Sequence, residues 1–312
     1  SVAKNVTALA PLLDDTTAAR IAFCTDDRNP NEIVGEGHID HALRRAIAAG
    51  APVMAAYRAA TISAAQIMRL FDRGLVAPGH RADLVLLDDL EAVAVGDVVC
   101  GGRLFRASAP RRETTGFGRG SIRRGHVTAD ALASDADGRV TTIGVRPSSL
   151  LTDHLERDAA DPDVLNIAVL ERHGRTGGIG RGHVTGFGAL RGAVASSVGH
   201  DSHNITVIGR DPVDMAAAVN RLIDLDGGAV VCADGAVLAE LALPVAGLMS
   251  DEPYEEVARR LDAIKRAIAA CGGSLDEPLL HLAFVPLVVI PHLKISDRGL
   301  VDVDRFVLLE RD

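Results

Sequence analysis

The chain of 312 residues is 47% hydrophobic and 24% charged, with 33 Lys and Arg against 42 Asp and Glu and a formal net charge of −9. That length suggests roughly two domains, and the apolar share excludes a disordered chain. The acidic balance argues against nucleic acid or an anionic membrane as the main partner, because phosphate binding needs a net basic face. No apolar run approaches the roughly 18 residues that a membrane span requires. The opening Ser1-Val2-Ala3-Lys4-Asn5 lacks the shape of a signal peptide. Cys24, Cys100, Cys232 and Cys271 form no CxxC pair, which excludes a zinc ribbon and a thioredoxin-type motif and points to a reducing, cytoplasmic setting.

Taken in chain order, residues 20–25 form a short apolar run that ends abruptly at Asp26-Asp27, the profile of a buried strand followed by a Pro/Asn loop. Apolar residues recur at helical spacing from Ile39 and stop at Gly50, which predicts a helix over 39–49. Pro52 opens a second helical pattern that runs to about Leu70. From Leu75 the period becomes strand-like, with short strands expected at 75–79, 82–87, 98–100 and 103–105 and a hairpin turn at Gly101-Gly102. Residues 107–124 are rich in Arg, Gly, Ser and Pro and read as a linker.

The remainder reads as α+β. Strands are expected at 164–170, 194–198, 205–208, 229–231, 236–241 and 306–309, and helices at 213–225 and 253–270. The second helix opens with acidic residues, which suit a helix N-terminus. The glycine-rich stretch 174–182 does not fit GxGxxG in register and reads as a tight loop, with a ligand-cradling loop as the alternative. Asp297-Arg298-Gly299 reads as a turn.

Several catalytic signatures are absent. The sequence has no Gly-Lys dipeptide for a Walker A loop, no His-Glu for HExxH, no GxSxG elbow and no PCxxC of the cytidine-deaminase type. What stands out is Thr25-Asp26-Asp27 at a strand end, where two adjacent carboxylates repel unless a cation or donors offset them. At the C-terminal end of a parallel barrel strand such a residue sits where catalytic groups collect; an Asx-type loop start or capping pair is the plain alternative. His200-Asp201-Ser202-His203-Asn204 lies between two apolar runs and offers two imidazoles and a carboxylate for metal binding or proton transfer, or for pinning two strands. Glu171-Arg172-His173 ends the preceding strand, either joining that cluster or closing a solvated strand end. His38 and His41 flank a helix start and read as capping or surface residues.

Together, Phe23-Cys24-Thr25-Asp26-Asp27, Glu36-Gly37-His38-Ile39-Asp40, Gly74-Leu75-Val76-Ala77-Pro78-Gly79 with Ala82-Asp83-Leu84-Val85, the His200–Asn204 stretch and Asp297-Arg298-Gly299-Leu300-Val301-Asp302-Val303 resemble the bacterial adenine deaminases of the amidohydrolase superfamily. The Pro-Gly and Ala-Asp-Leu-Val pair is shared by many amidohydrolases; the His200–Asn204 stretch and the 297–303 terminus are more specific. The resemblance covers essentially the whole chain.

It implies an α/β and α+β protein in parts. Residues 1–73 would be the last strand and closing helices of a metal-dependent (β/α)8 barrel, 74–110 the returning strands of a small β-sandwich domain, 111–124 a linker, and 125–312 the family's α+β C-terminal domain. It further implies hydrolysis of adenine to hypoxanthine and ammonia in purine salvage, with Asp26 as both metal ligand and proton carrier. Asp27 would instead bind loop amides. The cofactor would be a divalent transition metal, manganese or iron, with zinc as a third option. His200, Asp201 and His203, with Glu171, would close the site or hold an additional metal. The family's HxH ligands are not here, since no His-x-His occurs. The chain is therefore expected to be the C-terminal half of the enzyme, inactive alone and needing its missing N-terminal half. A truncated barrel would expose apolar surface, so a homo-oligomer is expected. The alternatives are an amidohydrolase acting on another purine or cyclic amidine, and a non-catalytic C-terminal binding or assembly module.

Overall fold

The computed structural model describes residues 5–107, 116–134 and 137–309. The chain divides into two compact units, one on either side of residue 110. Of the expected linker, residues 111–115 lie outside the described residues. Residues 120–123 are bound to the second unit, with the backbone N–H of Ile122 donating to the Asp226 carboxylate (3.2 Å) and that of Arg123 to the Arg172 carbonyl (2.7 Å).

The first unit opens with α1 (Val6–Leu9) and single 3₁₀ turns at Ala10–Leu12 and Thr17–Arg20. Helices α2 (Pro30–Glu36), α3 (Ile39–Ala48), α4 (Val53–Ala60) and α5 (Ile62–Ile67) follow. The expected strand at 20–25 is not formed: residues 21–25 carry no ladder hydrogen bonds, and a strand exists only through its partners. The single helix expected from Pro52 to Leu70 is broken at Thr61, whose hydroxyl donates to the Tyr57 carbonyl four residues back (2.7 Å), a bond that bends helices.

The β-structure of this unit is one antiparallel sheet of β1 (Leu84–Asp89), β2 (Ala94–Cys100) and β3 (Arg103–Leu104), with Gly101 and Gly102 both at positive φ in the tight turn. Residues 75–79 are a turn instead of a strand. The His80 N–H donates to the Ala77 carbonyl (3.1 Å) across Pro78 and Gly79, whose φ is +81°, the arrangement of a type II turn. Ala42, Leu43 and Ala46 of α3 pack with Ala55, Ala56 and Ala59 of α4, and Val93 joins them.

An eight-stranded mixed sheet forms the heart of the second unit. Its strands are β4 (Arg139–Val145), β5 (Thr152–Asp158), β6 (Leu165–Leu170), β7 (Ile179–Thr185), β8 (Ala193–Ser196), β9 (Ile205–Gly209), β10 (Gly228–Ala233) and β11 (Ala236–Ala242). Their order is β11-β10-β8-β9-β6-β7-β4-β5, antiparallel except between β4 and β7. Helix α6 (Pro212–Asp224), capped by the Asp211 carboxylate, covers one face through Met215, Ala218, Val219 and Leu222. The other face carries α7 (Tyr254–Ala270) and α8 (Pro278–Phe284). It also carries a small antiparallel sheet of β12 (Leu293–Ser296), β13 (Gly299–Asp302) and β14 (Val307–Leu308).

Side chains alternate between these layers with period two. Leu165, Ile167 and Val169 of β6 face α7 and α8, while Ala168 and Leu170 face α6. The glycine-rich stretch read as a loop is half strand, because 179–185 is β7. A Cβ at Gly180 would overlap the backbone of Ser296 and Gly299, so glycine there lets the β12–β13 hairpin lie directly on the sheet. The turn expected at 297–299 joins β12 to β13, with Gly299 opening β13. The mixed α/β character is as expected. Among the described residues no helix is long and apolar enough to cross a membrane.

Candidate active site

Asp26 stands where the irregular segment 21–25 turns toward α2, and its φ of +53° places it in the left-handed region that a short polar side chain tolerates. Three residues later Asn29 begins α2 with a capping box: its own side chain accepts from the backbone of Glu32, and the Glu32 carboxylate accepts from the Asn29 N–H (3.0 Å). Pro30 occupies the first helical turn, where its missing N–H costs nothing. Helix α2 ends at Gly37, φ +102°, a position at which a Cβ would overlap the Asp40 carboxylate. That carboxylate accepts from the His38 N–H (2.6 Å) and from Arg44 Nη2 (2.7 Å), and Arg44 Nη2 also donates to the Glu36 carbonyl (2.7 Å). The chain thus doubles back within about twelve residues and returns His38 beside Thr25, Nε2 to Oγ1 at 3.2 Å.

A cavity of about 540 Å³ lies in this unit, within the range of small-ligand sites. Its apolar wall comes from α1, residues 9–13 and residues 21–23, and from Ala42 and Ala46 of α3; its polar edge comes from Thr25, Asp26, Arg28, Glu36, His38 and His41. Arg28 is ion-paired with Glu36 and donates through Nη2 to the Glu32 carbonyl (3.1 Å), leaving its Nε buried without a hydrogen-bond partner. Burial pushes the His41 imidazole below its ordinary pKa, and the Arg28, Arg45 and Arg44 charges add to this while Glu36 at 3.7 Å opposes it. Asp26 is exposed at this edge, and its carboxylate has no hydrogen-bond or ion-pair partner among the described residues.

The other expected site residues lie in the second unit. Glu171 ends β6 nearly buried, and both of its oxygens are engaged by the loop that follows. Oε1 accepts from the His173 N–H (2.6 Å), and Oε2 from those of Arg175 (3.1 Å), Thr176 (3.2 Å) and Gly177 (3.1 Å). Burial pushes its carboxyl up, and the four amides, Gly177 first, outweigh that and hold it below the ordinary value. The side chain is therefore a staple for the 173–177 loop. Glu171→Ala is expected to lower the stability of this unit by about 2–4 kcal/mol in urea unfolding at neutral pH. That contribution is complete above the ordinary carboxylate range and is lost as pH falls through the depressed folded value.

His200, Asp201 and His203 share the loop between β8 and β9. The His200 ring stacks on Phe284 with centroids 4.6 Å apart and lies 6.0 Å from the His203 ring, and Asp201 points outward 3.8 Å from His200 Nδ1. Burial first, then the His200 and Arg172 charges, pushes the His203 imidazole down. Arg172, almost wholly buried, holds this loop by donating through Nε to the His203 carbonyl. His173 Nε2 reaches the Ser202 carbonyl at 2.8 Å. Among the described residues no three His, Cys, Asp or Glu side chains come together as a metal-ligand set. The participation of Glu36, His38, His41 and Arg28 at the cavity edge was hidden in the sequence. The Asn29/Glu32 capping signature was the available signal, because a helix over 30–36 carries Glu36 and His38 back toward Asp26.

Residues 1–105 match the amidohydrolase family and residues 141–307 match the adenine deaminase C-terminal domain. The chain is 56% identical to an adenine deaminase of Methylobacterium nodulans, 50% to one of Cereibacter sphaeroides and 48% to one of Brucella anthropi, each match covering 99% of the chain. It spans 57% of the length of each of these relatives. The amidohydrolase family implies a divalent metal in general. With both family matches on one polypeptide and this level of identity along it, the chain belongs to the adenine deaminase family.

Proposed function

We propose that this chain serves the hydrolysis of adenine to hypoxanthine and ammonia, with Asp26 as the proton carrier. The observation that carries the reading is the Asp26 carboxylate, without a partner among the described residues, at the polar edge of a cavity of about 540 Å³. The names of the relatives support adenine as the substrate. In this reading residues 1–73 are the closing part of a (β/α)8 barrel, and Asp26 follows residues 21–25, a segment that would become a strand only by pairing with the rest of such a barrel, at whose strand ends catalytic groups collect. Residues 74–110 are the strands of a small flanking domain, and 125–312 the C-terminal domain. The metal ligands beyond Asp26 come from the portion of the relatives' length that this chain does not span. A hard carboxylate oxygen in the set suits manganese or iron. The four cysteines, all free thiols, suit a reducing cytoplasm.

The chemistry asks for one group that first accepts and then donates a proton. Water adds to C6 of the purine, and its proton passes to the Asp26 carboxylate as the carbon becomes tetrahedral. The same proton then goes to the exocyclic nitrogen, which leaves as ammonia as the C6–N bond breaks; the proton of the added hydroxyl passes to N1, which took up the N1–C6 electron pair on addition, and the carbonyl of hypoxanthine forms.

The test is release of ammonia and formation of hypoxanthine by the full-length protein offered adenine, adenosine, guanine and cytosine in turn. Turnover of adenine alone is the expected result. Turnover of another base in preference to adenine would replace the substrate, and no turnover of any would leave the chain a non-catalytic module.

A further inference from the structure

Two contacts flank Asp26 and fix the backbone on both sides of it. Ahead of it, Thr25 Oγ1 meets His38 Nε2 at 3.2 Å, and His38 is itself held at the start of α3 by its N–H donating to Asp40 (2.6 Å). Behind it, the largely buried Arg28 side chain is tied to α2 through the Glu32 carbonyl and the Glu36 carboxylate. Between these anchors Asp26 holds a left-handed φ, a conformation open to a short polar side chain. The Arg28 anchor is closed by a charge pair and a carbonyl, whereas the Thr25–His38 contact is a single bond between two side chains at the cavity edge.

Building on the proposed role of Asp26, we propose that His38 is a positioning residue for that reaction, acting through Thr25 to aim the Asp26 carboxylate into the cavity. The contact lies near solvent, so removing it costs little stability. Its effect is on rate instead, because a carboxylate displaced by about 1 Å from the reacting atoms loses up to about a hundredfold. Neither side chain needs to touch the purine for this to hold. The expected signature is therefore a fall in kcat with KM little changed.

The test is a double-mutant cycle in the full-length protein with Thr25→Val, His38→Ala and the pair, with His38→Gln as the conservative variant that keeps a polar atom toward Thr25. Hydrogen exchange of the peptide spanning residues 24–29 supplies a readout independent of turnover. The expectation is a fall in kcat of about tenfold for each single variant and no further fall for the pair, with substantial recovery in His38→Gln. Exchange at 24–29 should rise equally in the two single variants while the unfolding midpoint stays put. Additive losses, unchanged kcat, or a His38→Gln variant as slow as His38→Ala would overturn the proposal. Should His38→Ala fail to fold, Thr25→Val and His38→Gln still decide it through rate and exchange. Asp26→Asn is the control that separates the two readings. If it keeps full turnover, the role of Asp26 fails; if it is inactive while Thr25→Val and His38→Ala are normal, only the positioning role fails.

Discussion

The stability of the second unit is expected to rise between pH 8 and pH 9 and to stop rising above it, chiefly through two buried groups with opposite signs, while the Cys271 thiol, also pushed up by burial, adds a downward pull above pH 9. Lys294 sits in β12 with no exposed surface, and its ammonium donates to the carbonyls of Leu150 (3.1 Å) and Phe284 (3.2 Å), with no carboxylate partner among the described residues. Burial pushes its pKa from 10.5 down to about 8. Between those values the unfolded chain holds a proton that the folded one has lost, so stability grows as pH rises, by about 3 kcal/mol in all. Cys232, fully buried in β10, acts the other way. Burial first, then the charges of Asp214 and Glu240, pushes its thiol from 9.0 to about 11, and above pH 9 the unfolded thiol ionises while the folded one stays neutral.

The two slopes oppose each other from pH 9 to about 10.5, leaving a net rise of about 1 kcal/mol below pH 9. Cys232→Ala should unmask the larger rise, and Lys294→Met should abolish it. At pH 7 Lys294→Met is expected to be nearly neutral, since relief of a buried charge offsets two carbonyls left without a donor. Urea unfolding across pH 7–10.5, followed by hydrogen exchange at β10 and β12, checks all three. A wild-type curve unchanged by Lys294→Met would contradict the assignment.

How much of this was legible in the sequence depended on where each strand sits in the sheet. Strands β6, β8, β9 and β10 are covered on both faces, so they appear as unbroken apolar runs and were found close to their true bounds. Strands β5 and β7 hid because their sequences are polar or glycine-rich. In β5, Asp153, Leu155 and Arg157 alternate with His154 and Glu156 across half-exposed faces, and β7 carries glycines where another hairpin presses on it. A chain-local reading has no access to that contact. Residues 21–25 misled in the opposite direction, because their apolar character is a property of the segment and a ladder is a property of two. Of the candidate site, Asp26 was found from its place at the end of an apolar run. His38 reads from sequence as a capping or surface residue, since its approach to Thr25 depends on the chain reversing at Gly37 after α2.

Asp26→Asn has the largest expected consequence. Asparagine fits the same backbone, tolerates the left-handed φ and keeps the side chain's volume, but it can neither accept the proton from water nor deliver it to the leaving nitrogen. General acid–base groups contribute about 10²–10⁴-fold, and one residue working in both halves of the exchange belongs at the upper end. In the proposed reading the purine would still enter a cavity whose apolar wall, from α1, residues 21–23 and α3, is untouched. The measurement to make is kcat together with the dissociation constant for adenine in Asp26→Asn and wild-type full-length protein. The expected result is a kcat lower by about 10³–10⁴-fold with adenine binding within a few fold of wild type. A variant that releases ammonia from adenine at the wild-type rate would contradict it.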